Sequence, residues 1–193
     1  MRVFAALPLP SGIAAGIGSA FSSARTLAPK ARWVPQESMH LTLHFFGEIP
    51  EEKISGFSPL FDDPELRWPV IRARLGEPGF FPKSGAPRVL WIGLQEGVEE
   101  MRAFLKLFTE KMQPLRQADG PLCQWSPDAR GFSPHLTVAR SGSAPLSTHW
   151  AQAVKIPSGE FLITECVLFQ SLLGAGGARY VPLKTIPFQR APA

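Results

Sequence analysis

The chain has 193 residues, 45% of them hydrophobic, with 14 Phe and 5 Trp; that is enough apolar surface for one compact core and excludes a disordered polypeptide. A formal charge of +4, from 20 Lys+Arg against 16 Asp+Glu, leans mildly toward anionic partners such as nucleic acid, although a solvated basic surface gives the same sum. Two cysteines, Cys123 and Cys166, exclude a disulfide framework and a cysteine metal site, and no run of five like charges is present to form a basic tail.

In chain order, Val3 to Leu9 has the composition of a strand, ended by Pro8 and Pro10. Those prolines interrupt the apolar opening and only Arg2 precedes it, so a secretory leader is not expected. Ser11 is placed to cap a helix from about Ile13 to Leu27, with Gly16 and Gly18 weakening it. Trp33 and Val34 form a short extended piece. His40-Leu41-Thr42-Leu43-His44-Phe45-Phe46 alternates as a half-buried strand does. Residues 50 to 60 suit a loop or short helix. Arg67 to Leu75 and Arg88 to Leu94 suit strands, and apolar residues at 98, 101, 104, 105 and 108 predict an amphipathic helix over Val98 to Leu115. A loop is expected over 117 to 130, a strand over Ser133 to Arg140, and a short helix near Ser147 to Val154. Phe161 to Leu172 is the longest predicted strand and holds Cys166 as a small core residue; Tyr180 to Thr185 follows a Gly174 to Gly177 turn. Strands mixed with few helices, without regular alternation, predict an α+β fold with antiparallel sheets in a single domain over residues 1–193. No window holds eighteen uninterrupted apolar residues, and neither GxGxxG nor GxxxxGK[ST] occurs. A cytoplasmic protein with no membrane contact is expected.

One pattern occurs twice: His40-Leu41-Thr42-Leu43 returns 95 positions later as His135-Leu136-Thr137-Val138. In a strand, residues i and i+2 share a face, roughly 6.5–7 Å apart. Each copy then presents an imidazole beside a hydroxyl while its apolar residues face a core. Two such strands side by side suit a phosphodiester, whose in-line cleavage needs a base, an acid and donors to the non-bridging oxygens. Histidine titrates near neutral pH and serves both proton tasks, and threonine hydroxyls donate to the oxygens as charge builds. One His-x-Thr alone is most simply a polar strand face; two copies with the same apolar filling, in a chain with four histidines, are a stronger signal.

With these motifs the chain resembles the two-histidine (2H) phosphoesterase superfamily, and within it the RNA 2′,3′-cyclic phosphodiesterases, also called 2′-5′ RNA ligases. The resemblance includes Arg2-Val3-Phe4-Ala5-Ala6-Leu7, Arg32-Trp33-Val34-Pro35 and the run through Phe46-Gly47-Glu48. It continues in Pro87-Arg88-Val89-Leu90-Trp91, Pro134-His135-Leu136-Thr137-Val138-Ala139-Arg140 and Gly177-Ala178-Arg179-Tyr180. It implies a two-lobed, pseudo-twofold α+β fold with helices outside and a His-x-Thr-x strand from each lobe lining a central cleft. His40 would be the proton donor to the leaving 3′ oxygen and His135 the acceptor from water, leaving a 2′-phosphate. Thr42 and Thr137 would hold the phosphate, with Phe46 stacking and Arg140 supplying charge. No metal or cofactor is implied. The expected partner is RNA with a 2′,3′-cyclic phosphate end, tRNA fragments among the candidates, and the expected state is a monomer.

By alternation His44 falls on the face of His40 and Thr42, as a cleft-rim or solvent residue. A His40–His44 metal pair fails because four strand residues span roughly 13 Å. His149, beside Trp150, suits a surface turn. Arg72, Arg74 and Arg88 suit either an RNA path or solvated strand faces. Other functions compatible with the motifs are 2′-5′ RNA ligation, hydrolysis of a small cyclic phosphodiester and non-catalytic binding of RNA ends. A purely structural protein would leave the duplicated motif without use. The loops near 50–64 and 117–130 match no motif and are candidates for setting substrate preference.

Overall fold

The computed structural model describes residues 1–116, 131–143, 145, 146, 148, 154–174 and 177–189. The first half of the chain gives β1 (Arg2–Pro8), α1 (Ser11–Ala20), α2 (Ser22–Leu27), the two-residue β2 (Arg32–Trp33), β3 (His40–Glu48) and α3 (Ser58–Phe61). The second gives β4 (Ile71–Phe81), β5 (Val89–Glu96), α4 (Val98–Lys111), β6 (Leu136–Arg140), β7 (Glu160–Ile163), β8 (Glu165–Gly174) and β9 (Gly177–Pro187). The strands pair antiparallel along one path, β7-β4-β5-β6-β3-β1-β8-β9, with β2 paired to β6 off that path.

That path reads as two four-stranded halves. In one, β1 lies between β3 and β8; in the other, β5 lies between β6 and β4. Each half runs strand, helix, motif strand: β1–α1–β3 and β5–α4–β6. The halves join where β3 and β6 meet, with Leu41 opposite Leu136. These leucines are the second residues of the two His-x-Thr-x copies, so the pseudo-twofold relation implied by the family resemblance passes between them. The α+β, two-lobed antiparallel architecture is therefore as expected.

One face of the sheet is apolar and covered by helices. Val3, Ala5, Leu7, Leu41, Leu136, Leu90 and Ile92 join Ile17 and Phe21 from the α1 region and Phe104 and Phe108 of α4 in a single core cluster. The α4 residues recur at helical spacing, and Gly97 before them takes φ 88°, where a Cβ would sit 2.6 Å from the Arg72 carbonyl oxygen. Cys166 is buried in this core, which pushes its thiol well above the ordinary range.

Several element bounds differ from expectation. Ser11 is the first helical residue rather than a cap, since Pro10 precedes it and no side-chain cap bond forms; the helix also breaks at Phe21, giving α1 and α2. The strand expected over Arg67 to Leu75 starts at Ile71 and runs on to Phe81. Pro78 is tolerated because the β4–β5 ladder is irregular between Leu75 and Pro78. The helix predicted to Leu115 ends at Lys111 and gives way to a 3-10 turn over Gln113–Arg116, where Pro114 cannot donate. The long strand predicted over Phe161 to Leu172 is two strands. The chain crosses at Thr164, because β7 pairs with β4 and β8 with β1 in the opposite half. The segment 117–130 and most of the short helix expected near Ser147 to Val154 lie outside the described residues.

Because Leu136 is fully buried at the seam, Leu136→Ala is expected to lower unfolding free energy by about 2–5 kcal/mol, measured by urea denaturation. A loss below about 1 kcal/mol would show that the seam does not carry the two halves.

Candidate active site

Burying Leu41 and Leu136 turns their neighbours the other way. His40, Thr42, His135 and Thr137 are all half-buried residues on the uncovered face, on adjoining strands around the Leu41–Leu136 pair. The four residues predicted from the repeat are thus brought together. His135 sits one residue ahead of β6, next to the start of the ladder.

The two imidazoles are held in the same way. His40 Nδ1 donates to the Ser38 carbonyl at 2.8 Å, and His135 Nδ1 donates to the Ser133 carbonyl at 3.0 Å. A carbonyl oxygen only accepts, so Nδ1 carries the proton in both rings. Nε2 is left on the far side as the atom free to take or give a proton. The sequence held no side-chain signal for this tether, because a backbone carbonyl supplies it.

Aromatic walls enclose each ring. Phe4 and Tyr180 lie 5.0 Å from the His40 ring and Phe169 lies 6.4 Å away, while Phe81 at 5.2 Å and Trp91 at 6.2 Å border His135. Burial is the main reason that His40 is lowered from 6.5 to about 4. The Ser38 bond opposes the shift, and the positive charges of Arg140 and His135 add to it. Burial raises the Tyr180 phenol, against the pull of Arg140 and Arg2.

A β-bulge follows each motif. On β3, Thr42 is opposite Ala6 and His44 is opposite Ala5, so Leu43 is the extra residue; on β6, Thr137 is opposite Trp91 and Ala139 opposite Leu90, so Val138 is extra. The bulge shifts the phase by one. His44 and Ala139 turn into the core, and the next residues, Phe45 opposite Phe4 and Arg140 opposite Val89, return to the cleft face. This corrects two expectations. His44 is not a rim residue: it is 5% exposed, packed at 4.7 Å against the Phe46 ring. Phe46 is 2% exposed and packs on Phe57 at 4.8 Å, so it has no face to offer a base. Phe45, 58% exposed and 5.7 Å from Phe4, has one. Arg140 stands where the repeat would place the partner of Phe45, exposed on the cleft face.

Arg72 and Arg74 lie instead on β4, between β7 and β5, paired with Glu160 and Glu96, each at 2.9 Å. His149 lies outside the described residues. Among those described, no group of three or more His, Cys, Asp or Glu is placed to hold a metal, and no helix is long and apolar enough to cross a membrane.

Comparison with known proteins gives the same frame. The family described as LigT like Phosphoesterase matches residues 7–91. The RNA 2′,3′-cyclic phosphodiesterase of Escherichia coli is 31% identical over 191 residues, covering 95% of this chain and 94% of the relative. The enzyme of the same name from Geobacillus stearothermophilus is 27% identical over 191 residues, and this chain spans 58% of its length. Among solved structures, a Thermus thermophilus protein superposes with a TM-score of 0.79 at 26% identity, covering 98% and 99% of the two chains. Escherichia coli LigT complexed with 3′-AMP gives 0.68 at 28% identity, covering 98% of each.

The His44 environment has a consequence for stability. Burial lowers His44 from 6.5 to about 4. Between those pH values the unfolded chain binds a proton that the native state refuses, so stability is complete above 6.5 and falls as pH drops toward 4. The loss attributable to His44 is at most about 3 kcal/mol. His44→Phe is expected to flatten the dependence of Tm on pH over that window. A variant as acid-sensitive as the parent would show that His44 titrates normally.

Proposed function

The chain belongs to the LigT-like phosphoesterase family, and on that footing we propose that it hydrolyses 2′,3′-cyclic phosphate ends of RNA to 2′-phosphomonoesters, with His40 as acid and His135 as base. The observation that carries this is the matched pair of Nδ1 tethers, at 2.8 and 3.0 Å, which leaves an Nε2 from each half for proton transfer. Relatives along the chain that bear the name RNA 2′,3′-cyclic phosphodiesterase support the substrate class. So does 3′-AMP bound to Escherichia coli LigT.

In the proposed step, His135 Nε2 takes a proton from water as its oxygen attacks phosphorus in line. The P–O3′ bond breaks, and His40 gives its Nε2 proton to the departing 3′ oxygen. The 2′ ester bond stays intact. The hydroxyls of Thr42 and Thr137 donate to the non-bridging oxygens as charge builds on them, and Arg140 offsets that charge from the cleft face. Phe45, rather than Phe46, takes the stacking task. No step in this scheme draws on a metal, so turnover is expected to survive exhaustive chelation; loss on chelation with recovery on adding zinc or manganese would overturn that part.

The acid must be protonated, yet in the free protein burial holds His40 at about 4. A bound phosphate anion reverses the sign of the local charge and raises His40 in the complex. The alkaline limb of kcat/KM, which reports the free enzyme, should therefore lie below 6.5, and that of kcat, which reports the complex, should lie higher. The apparent values belong to the coupled pair. His40→Ala and His135→Ala are each expected to lose about 10²- to 10⁴-fold in kcat with the fold intact. The residual activity should lack the alkaline limb in the first variant and the acidic limb in the second. Chromatography of the product should show a 2′-phosphate. A 3′-phosphate would mean that the two histidines have exchanged roles, and parental turnover in either variant would remove the acid–base scheme.

A further inference from the structure

The two-residue strand β2 does nothing for the main sheet path, yet it is firmly placed. Trp33 Nε1 donates to the Ala28 carbonyl at 3.2 Å, its ring lies 6.0 Å from Phe21, and Val34 N–H donates to the Val138 carbonyl at 2.9 Å. In the β2–β6 pairing, Trp33 is opposite Ala139 and Arg32 is opposite Arg140. Ala139 is fully buried in the core and Trp33 packs against it. Arg32 and Arg140 therefore project from the other side, the face that carries the two histidines. Arg32 Nη2 donates to the Ser141 carbonyl at 3.2 Å, which steadies its guanidinium there.

Two like charges directly opposite one another on neighbouring strands destabilise the pairing. Elsewhere on the sheet the chain avoids that: Arg72 and Arg74 each face a carboxylate at 2.9 Å. Arg32 and Arg140 are both exposed, and neither makes an ion pair among the described residues. Such a pair becomes favourable once an anion lies between the guanidiniums, each of which presents a fork matched to phosphate oxygens.

Resting on the phosphodiesterase assignment above, we infer that Arg32, with Arg140, binds the phosphodiester immediately 5′ of the terminal nucleotide, so that the cleft selects oligonucleotide ends over mononucleotide cyclic phosphates. Arg140 borders the reacting phosphate, and its charge already acts on His40. Arg32 lies beside Arg140, one strand spacing of about 4.7–4.9 Å away on the side of β6 that faces β3, within reach of the next phosphate of the strand. A nucleoside 2′,3′-cyclic phosphate has no group to place there.

The test uses two probes with the same terminal nucleoside: the mononucleotide 2′,3′-cyclic phosphate, and a short oligoribonucleotide ending in it. The parent is expected to prefer the oligonucleotide in kcat/KM at low salt. Arg32→Ala should lower kcat/KM for the oligonucleotide about 5- to 30-fold through KM. It should change the mononucleotide value by less than about twofold and reduce the salt slope by about one. Arg32→Lys should recover part of the loss, because it keeps charge without the fork. An equal fall on both probes would assign Arg32 to fold or cleft integrity, and an unchanged oligonucleotide value would remove it from binding; either overturns the inference. If the parent turns over neither probe, the phosphodiesterase assignment fails by itself. Fluorescence anisotropy with a 2′-phosphate-ended oligonucleotide then decides on Arg32, upheld by weaker binding in Arg32→Ala and overturned by equal binding.

Discussion

The contact between Leu41 and Leu136 is the constraint on which the rest of this structure depends. Each leucine sits between the histidine and threonine of its motif, and each is fully buried. In a pleated strand, burying the middle residue of three sends its neighbours to the opposite face. The same apolar contact that closes the sheet across its two halves thus aims two imidazoles and two hydroxyls at one place. Polar groups that would be costly to gather in a core are gathered instead on its uncovered back.

The two bulges convert that symmetric frame into an asymmetric site. Leu43 and Val138 each insert one residue at the same point of the repeat, and each returns the sixth motif residue to the cleft. In one half that residue is a phenylalanine, in the other an arginine. The nucleotide end proposed as substrate has the same two-sided character, a flat base and charged phosphates, and a ring at one end with a guanidinium at the other would give it a direction. The aromatic wall around His40, formed by Phe4, Phe169 and Tyr180, strengthens the distinction by partly desolvating that imidazole.

What is legible in the sequence follows from period. His40, Thr42, His135 and Thr137 obey strict alternation over three residues, and the same alternation places Leu41 and Leu136 inside. The expectation fails one step later because a bulge flanked by ordinary apolar residues leaves no mark: Leu43 and Val138 are neither glycine nor proline. That phase error misplaces His44 and hides Phe45, and Phe46, expected to stack from the family resemblance, is buried. The division of the apolar run at Thr164 is hidden for a related reason. Both pieces are strands, and what separates them is which half of the sheet each one joins, a tertiary fact. Pro78 and Gly79 have the composition of a strand end, yet Pro78 closes an irregular stretch of ladder where a missing donor costs little, and Gly79 pairs with Trp91, whose ring a Cβ there would overlap.

The tethers on the histidines are alike, so the two tasks proposed for them must be set apart by something else. Both rings take the same tautomer from the same kind of acceptor, so the difference between acid and base cannot come from the hydrogen bond to Nδ1. It has to come from surroundings that the repeat does not share: which rings border each imidazole, Phe4, Phe169 and Tyr180 at His40 against Phe81 and Trp91 at His135, and the placement of Arg140, whose charge falls on His40 from the opposite half. On the proposed scheme, an acid held low by its own cleft is of use only when substrate brings the charge that restores its proton. Binding and protonation would then be one event, the scheme becoming competent when a phosphate anion occupies the cleft.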